Sequence, residues 1–570
     1  MRQSFLIGLF LLATTTTNSI NAQVNSKNAH KAVLNIFTYD ENKNLLKSGS
    51  AFYIDNESNA ITSFDILKGA FSAELIDYQG KVVHVQRILG ANSTTNLVKF
   101  STDAPKTDQY FKIIDSPLNL NAQTQLIQYS KKGNKTRNFV NITKVEAFND
   151  YKYYHTSASN NPVYVNCPLI DDNGLLVAVV QQNLNNDLKT SCAIDARFIN
   201  LLTMNETSSL DTDLKSINIP KGLPNSFNEA LTYIYMYPMS DTVNYHIALD
   251  DFVIKFPNAA DGYINRANYY ASLKMFKECE QDFKLAIDKA QNDTLGMSLD
   301  YVHYCIGDLI NRTITNQKDT TSIYNNWDYT RAAKELQEAY SLNKSSLYLL
   351  SLAKVYYTQG VYDKAYESIK EVCADKKFAN AENFFFMAIL SEKLNLDITH
   401  SIDCLNKCIE SLPRPVNTKD AAYYLERAQR FIVANRYREA ALDYNEYEKI
   451  ITPNNLNAEF YYIKQEVEMN ARMYQQALDD IRTAIVKSNN SIKYRIEEAY
   501  ILMRVGEFKN AIQVAETILK DDNENLSCLK ILGIAYKALG KQEQALQYLN
   551  KAKTLGDLSV ESIMKQDFSK

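Results

Sequence analysis

The chain has 570 residues, of which 45% are hydrophobic and 22% charged, and its formal net charge is -4. That length accommodates two or more domains, and the apolar fraction excludes a disordered chain. The slight acidic balance leaves no basic surplus to draw nucleic acid.

Residues 1–22 read as a secretory signal peptide. Arg2 is followed by a short apolar run, Phe5 to Ala13, and the small residue Ala22 precedes an expected cut. The run is too short to span a bilayer, and no later stretch is long and apolar enough to do so. No cysteine lies near the cut. The expected location is therefore exported, periplasmic or outer-envelope associated. The Asn/Lys/Ile/Tyr-rich usage and the Asn-Ala-Gln ending of the leader resemble exported proteins of the Bacteroidetes.

From residue 23 to 208 the grammar is that of short strands. Apolar residues alternate or occur in brief runs, as in Val33-Leu-Asn-Ile-Phe37 and Lys81-Val-Val-His-Val85, and Asp/Asn/Gly clusters separate them. An all-β barrel or pair of barrels is expected. The order of segments carries a resemblance. Gly49-Ser-Ala-Phe52 precedes Ala60-Ile-Thr-Ser-Phe-Asp65, then Asn96-Leu-Val-Lys-Phe100, then Asn161-Pro-Val-Tyr-Val-Asn-Cys-Pro168, then Cys192-Ala-Ile-Asp195. In that order the region resembles bacterial trypsin-like serine proteases, which implies a double β-barrel. The same resemblance puts Asp65 where the family has its histidine, Asn96 where it has its aspartate and Val165 where it has its nucleophilic serine. Val163, Asn166 and Cys167 stand where the family has the glycines of its oxyanion loop. A hydroxyl nucleophile, its base and the donors around the oxyanion are all replaced. A thiol route through Cys167 with His155 as base, and a Cys167–Cys192 disulfide, are the alternatives that this region leaves open.

Residues 209–225 are polar and carry Pro220 and Pro224, which reads as a linker. Residues 226–560 read as stacked helical hairpins. Taking Ala545 as a marker, small residues recur at Ala511, Ala477, Ala440, Ser401, Ala365, Ala332 and Cys279, in steps of 34, 34, 37, 39, 36, 33 and 53. Ala499, Ala428, Ala353 and Ala267 mark the first helices, and Gly540 suits a helix C-terminus. The pattern resembles the tetratricopeptide repeat (TPR), which implies an all-α superhelix. The segment Tyr233–Pro257 reads as a degenerate capping hairpin. The long step places an exposed loop near Asn311 to Asn326, and 561–570 is a tail.

In such a superhelix each first helix lines a concave face. The repeat phase projects Lys354, Tyr357, Gln429, Tyr462, Glu466, Tyr500, Lys530 and Lys537 onto it, a surface fit for an extended peptide or a partner helix. No cofactor or metal is expected. Cys404 and Cys408 share a helical face without a third ligand, and His30, His84, His246, His303 and His400 are isolated. Three readings follow: a protein- or peptide-binding scaffold with a catalytically dead protease-like domain, a working serine- or cysteine-type endopeptidase that recruits substrate through the repeats, and a structural subunit of a cell-envelope assembly.

Overall fold

In the computed structural model, residues 28–130, 138–183, 189–238, 241–292, 295–316, 324 and 326–565 are described. The expected signal segment 1–22, residues 317–323 and 325 of the loop expected near 311–326 and the end of the tail lie outside them, and 311–316 end a helix. The chain divides into two compact units, residues 1–298 and 299–570.

The first unit opens with twelve strands. β1 (Val33–Tyr39), β2 (Leu45–Tyr53), β3 (Ala60–Thr62), β4 (Ser72–Ile76), β5 (Val82–Asn92) and β6 (Leu97–Thr102) close a barrel in the order β1-β2-β3-β6-β5-β4. β7 (Gln123–Leu126), β8 (Asn138–Phe148), β9 (Tyr151–Ser159), β10 (Pro168–Ile170), β11 (Leu176–Gln181) and β12 (Thr190–Asp195) close a second barrel, β10-β11-β12-β9-β8-β7. Both barrels follow one path, three strands in sequence and then the last three in reverse. The expected double barrel is thus present, and closure leaves neither sheet an open edge. Alternation builds the core. Leu34 and Ile36 of β1 point inward with Leu75, Val98 and Phe100. Their neighbours Val33, Phe52, Ile61 and Leu97 face the other way, packing with Leu176, Val179, Ile194 and Phe198 of the second barrel. The two barrels therefore share an apolar seam.

Residues 209–225, expected as a linker, are folded onto the first barrel. Leu214, Ile217, Ile219 and Leu223 are buried in its core. Backbone bonds fix the segment: Gly69 and Asn218 N–H donate to Ser216 and Ala70, Ile88 to Pro220 and Gly222 to Ile88, all at 2.8–2.9 Å. Helices Phe227–Met236 and Thr242–Lys255, where the degenerate capping hairpin was expected, bring Tyr233, Ile234, Leu249 and Phe252 into the same core. Arg87 of β5 holds Asp251 through two bonds of 2.6 and 3.0 Å. The polar and proline-bearing composition misled the sequence reading because the prolines here serve as acceptors, Pro220 from Ile88 N–H and Pro224 from Lys255 Nζ. Helices Ala260–Ser272 and Phe276–Asn292 complete the unit.

The second unit consists of helical hairpins: Leu299–Asn316 with Tyr329–Leu342, Ser346–Thr358 with Tyr362–Ala374, Ala381–Lys393 with Ile398–Glu410, Ala422–Val433 with Tyr437–Ile451, Ala458–Asn470 with Tyr474–Lys487, Ile492–Arg504 with Phe508–Asp521, and Leu526–Ala538 with Gln542–Thr554. A short helix, Val560–Lys565, follows. Each marker residue sits one turn into a second helix, and Cys279, Ala332, Ala365, Ser401, Ala440, Ala477, Ala511 and Ala545 are all buried. At these points two helix axes pass too closely for a larger side chain. Gly533 shows the same constraint, since a Cβ there would lie 2.4 Å from Leu549. Between most of these paired helices the chain turns through a left-handed residue: Lys274, Gly360, Asn395, Asn435, Arg472, Gly506 and Gly540 all have positive φ.

An ionic lock recurs inside the hairpins. Arg266 holds Asp282 at 2.8 and 2.9 Å, Arg427 holds Asp443 at 2.7 and 2.9 Å, and Lys464 lies 3.0 Å from Asp480. Each pair spans sixteen positions, from first helix to second, and each aspartate is buried.

Candidate functional site

The three positions that the resemblance sets at a triad meet in one cavity. It measures about 770 Å³ and lies between the barrels, lined by Asp65, Asn96 and Val165, with Ser63, Ser93, Glu146, Tyr153, His155, Gln181, Asn183 and Cys192 among its other walls. Asp65 lies in the first turn of the short helix Phe64–Leu67, and its N–H donates to Asn96 Oδ1 at 3.0 Å. Asn96 is held in the left-handed region, φ 51°, and its carbonyl accepts from Phe64 N–H. The Asn96 side chain therefore ties down the backbone at position 65. It orients no imidazole, because Asp65 supplies none.

The segment where an oxyanion loop was expected is a tight turn, Pro162–Tyr164. Its N–H groups are engaged within the chain. Val163 donates to Asn161 Oδ1, Tyr164 to Asn161 O, Val165 to Pro162 O, Asn166 to Val180 O and Cys167 to Tyr164 O, at 2.8–3.2 Å. Oxyanion stabilisation needs preorganised donors aimed at the developing charge. The one positive φ in the segment falls on Asn166, at 62°, a residue type that tolerates it. Asn166 is buried, and its amide donates to Ser50 O at 2.6 Å.

The thiol route through Cys167 is corrected. Cys167 is fully buried, its sulfur faces Ser50 Oγ at 3.7 Å and Val163 O at 3.5 Å, and burial pushes its thiol up to about 11. His155 is not its neighbour. All eight cysteines are free, so the Cys167–Cys192 bridge that the sequence left open is not formed. Instead β12 pairs with β9 so that Cys192 stands opposite His155. Sequence reasoning missed this partner because a bulge between Thr190 and Cys192 sets the register. The available signal was the alternation Tyr151, Tyr153, His155, which puts the histidine on the same face as those two tyrosines.

In the helical unit the structure brings together part of the projected face. Glu466 and Tyr500 line a cavity of about 390 Å³ with Gln465, Met469, Glu497 and Arg504. Tyr500 and Lys530 line an adjoining one of about 280 Å³ with Ile496, Met503, Ile531 and Ile534. Tyr462 packs 5.4 Å from Tyr494 beneath Lys493. Lys354 and Gln429 are exposed, and Tyr357 packs edge-on to Phe386, none of the three in those cavities. Lys530 also donates to Ser559 Oγ at 2.6 Å. Lys537 donates to Ile563 O at 2.8 Å, which makes it a capping contact with the last helix rather than an open groove position. Among the described residues, no group of three His, Cys, Asp or Glu is arranged to hold a metal ion, and no helix is long and apolar enough to cross a membrane.

No protein-family model matches the chain, and no curated protein matches it. Among solved structures it is similar to the active form of a protease from M. tuberculosis, with 16% identity and a TM-score of 0.26, over 30% of this chain and 80% of that one. It is also similar to a serine endoprotease from Yersinia pestis, with 15% identity and a TM-score of 0.26, over 31% of this chain and 65% of that one. Likeness at this level assigns no residue role.

Proposed function

We propose that this chain is an exported scaffold that binds a protein or peptide partner along the first-helix face of its TPR-like array, and that its barrel domain has lost serine-type catalysis. The observation that carries the binding reading is the pair of adjoining cavities that share Tyr500 and Glu497. An aromatic ring, apolar side chains from two successive first helices and charges at the edge make a surface that buries an extended segment. The loss of serine chemistry rests on Val165 at the nucleophile position and on the engaged N–H groups of residues 163–167.

A photo-crosslinking amino acid at position 500, compared with one at the exposed Leu442 on a second helix, tests the binding reading in cells. Crosslinks to a defined partner from position 500 alone are expected. Equal crosslinking from both positions, or none, would remove it. Changing Tyr462, Tyr500 and Lys530 together should weaken capture, while Asp65→Ala should leave it intact. N-terminal sequencing of the cell-purified protein should find Gln23 first.

A further inference from the structure

The barrel cleft holds a second chemical constellation, made of residues other than Asp65, Asn96 and Val165. Cys192 and His155 are direct cross-strand partners, so their side chains leave the same barrel face. Cys192 Sγ lies 3.8 Å from His155 Nδ1, and His155 Nε2 lies 3.1 Å from Glu146 Oε1. Lys144 Nζ, 2.5 Å from the same Glu146 oxygen, helps keep that carboxyl ionised and its titration below the ordinary range. The carboxylate fixes the imidazole proton on Nε2 and turns the Nδ1 lone pair toward sulfur. Thiol, imidazole and carboxylate thus stand in the order nucleophile, base and orienting acid. Cys192 is buried except where it meets the cavity, and burial raises its thiol while Tyr153 opposes that rise through a hydrogen bond. The sulfur rests as S–H, so it needs the adjacent base to become a nucleophile.

We propose that Cys192 is an acyl-accepting thiol, with His155 as its base and Glu146 positioning that base, and that its substrate is an activated acyl group presented as an ester or thioester. The substrate class follows from what the cleft lacks. With the N–H groups of residues 163–167 engaged, no backbone donors from that turn meet a developing oxyanion, and loss of one such donor costs about 10²–10³ in rate. An amide, with its poor leaving group, depends on that help more than an ester does. In the step, the sulfur attacks the carbonyl carbon as its proton passes to His155 Nδ1. The tetrahedral adduct then collapses, the bond to the leaving oxygen or sulfur breaks, and the imidazolium returns the proton to that leaving group. An S-acyl Cys192 and a free alcohol or thiol result, with no change of oxidation state. The proposal concerns the barrel cleft alone and stands or falls apart from partner binding by the array.

The test treats the full-length protein with p-nitrophenyl acetate and maps acetyl thioesters by mass spectrometry. Cys192 is expected to acetylate at least tenfold faster than Cys305 and Cys373, which are more exposed. This comparison needs no variant. His155→Ala is expected to slow Cys192 acetylation at least tenfold. Glu146→Gln should slow it less and shift its pH profile, an effect that a purely structural role would not produce. Acetylation of Cys192 no faster than of Cys305, or an unchanged rate in a folded His155→Ala protein, would overturn the proposal.

Discussion

Glu468 shows what one residue does to the stability of this array. It is fully buried on the first helix Ala458–Asn470, and neither of its oxygens has a hydrogen-bond partner. Lys464 Nζ stands 2.6 Å from Glu448 and 3.0 Å from Asp480, so one cation faces three carboxyls. Burial, reinforced by Asp480, pushes the Glu468 carboxyl up to about 9 from its ordinary 4.5. A proton on Glu468 also supplies the donor that the pair of carboxyls lacks. With the folded value raised, its contribution to stability is complete below about pH 4.5 and is lost as pH rises through 9. Glu468→Gln keeps the neutral form at every pH. Its melting temperature should exceed that of the wild type at pH 9, by on the order of a few degrees, and the gap should close at pH 5. The cleft gives a second prediction. Placing His, Asp and Ser at the three positions, as Asp65→His, Asn96→Asp and Val165→Ser, should produce no labelling by a fluorophosphonate probe, because the turn at 162–164 still engages its own N–H groups. Motif order in the sequence singled out three positions, and the structure gathers them in one cavity. The engaged loop and the pairing of Cys192 with His155 were not legible, since both depend on backbone hydrogen bonds and strand register that residue types do not encode.

At the level of the helical hairpin, the small marker residues were readable in advance because close packing tolerates so few alternatives, and all eight are buried. The ionic lock lay in the same sequence and went unread. Arg266, Arg427 and Lys464 each precede a buried first-helix position, and Asp282, Asp443 and Asp480 follow sixteen residues later. Sixteen residues is the distance across a hairpin turn, which no single-helix periodicity reveals. The pair's value is asymmetric. Removing the cation leaves a buried carboxylate alone, at a cost of about 3–5 kcal/mol. Arg427→Ala should therefore destabilise the hairpin Ala422–Ile451 and raise amide exchange there first, as read by hydrogen–deuterium exchange. Arg427→Met with Asp443→Leu should recover most of the loss. If the single variant changes exchange by no more than a surface substitution does, the lock is ornamental.

For the chain as a whole, the boundary drawn at residues 209–225 from composition differs from the one the packing makes. Helices Phe227–Met236 and Thr242–Lys255 belong to the core of the first barrel. A fragment of residues 28–225 should thus expose Leu34, Leu75 and Phe100, bind a hydrophobic dye and melt without cooperativity. A fragment of residues 28–298 should melt in a single transition, and equal cooperativity in both would show that the helices are dispensable. The shared core also has a consequence in time. The strands of the first barrel are all synthesised by Thr102, yet the last residues of its core, Leu249 and Phe252, come roughly 150 positions later. At about 5–20 residues per second on the ribosome, that barrel waits on the order of 10–30 s for its own interior. During the wait the second barrel is made in full, so the order in which the two domains mature is the reverse of the order in which their strands are written.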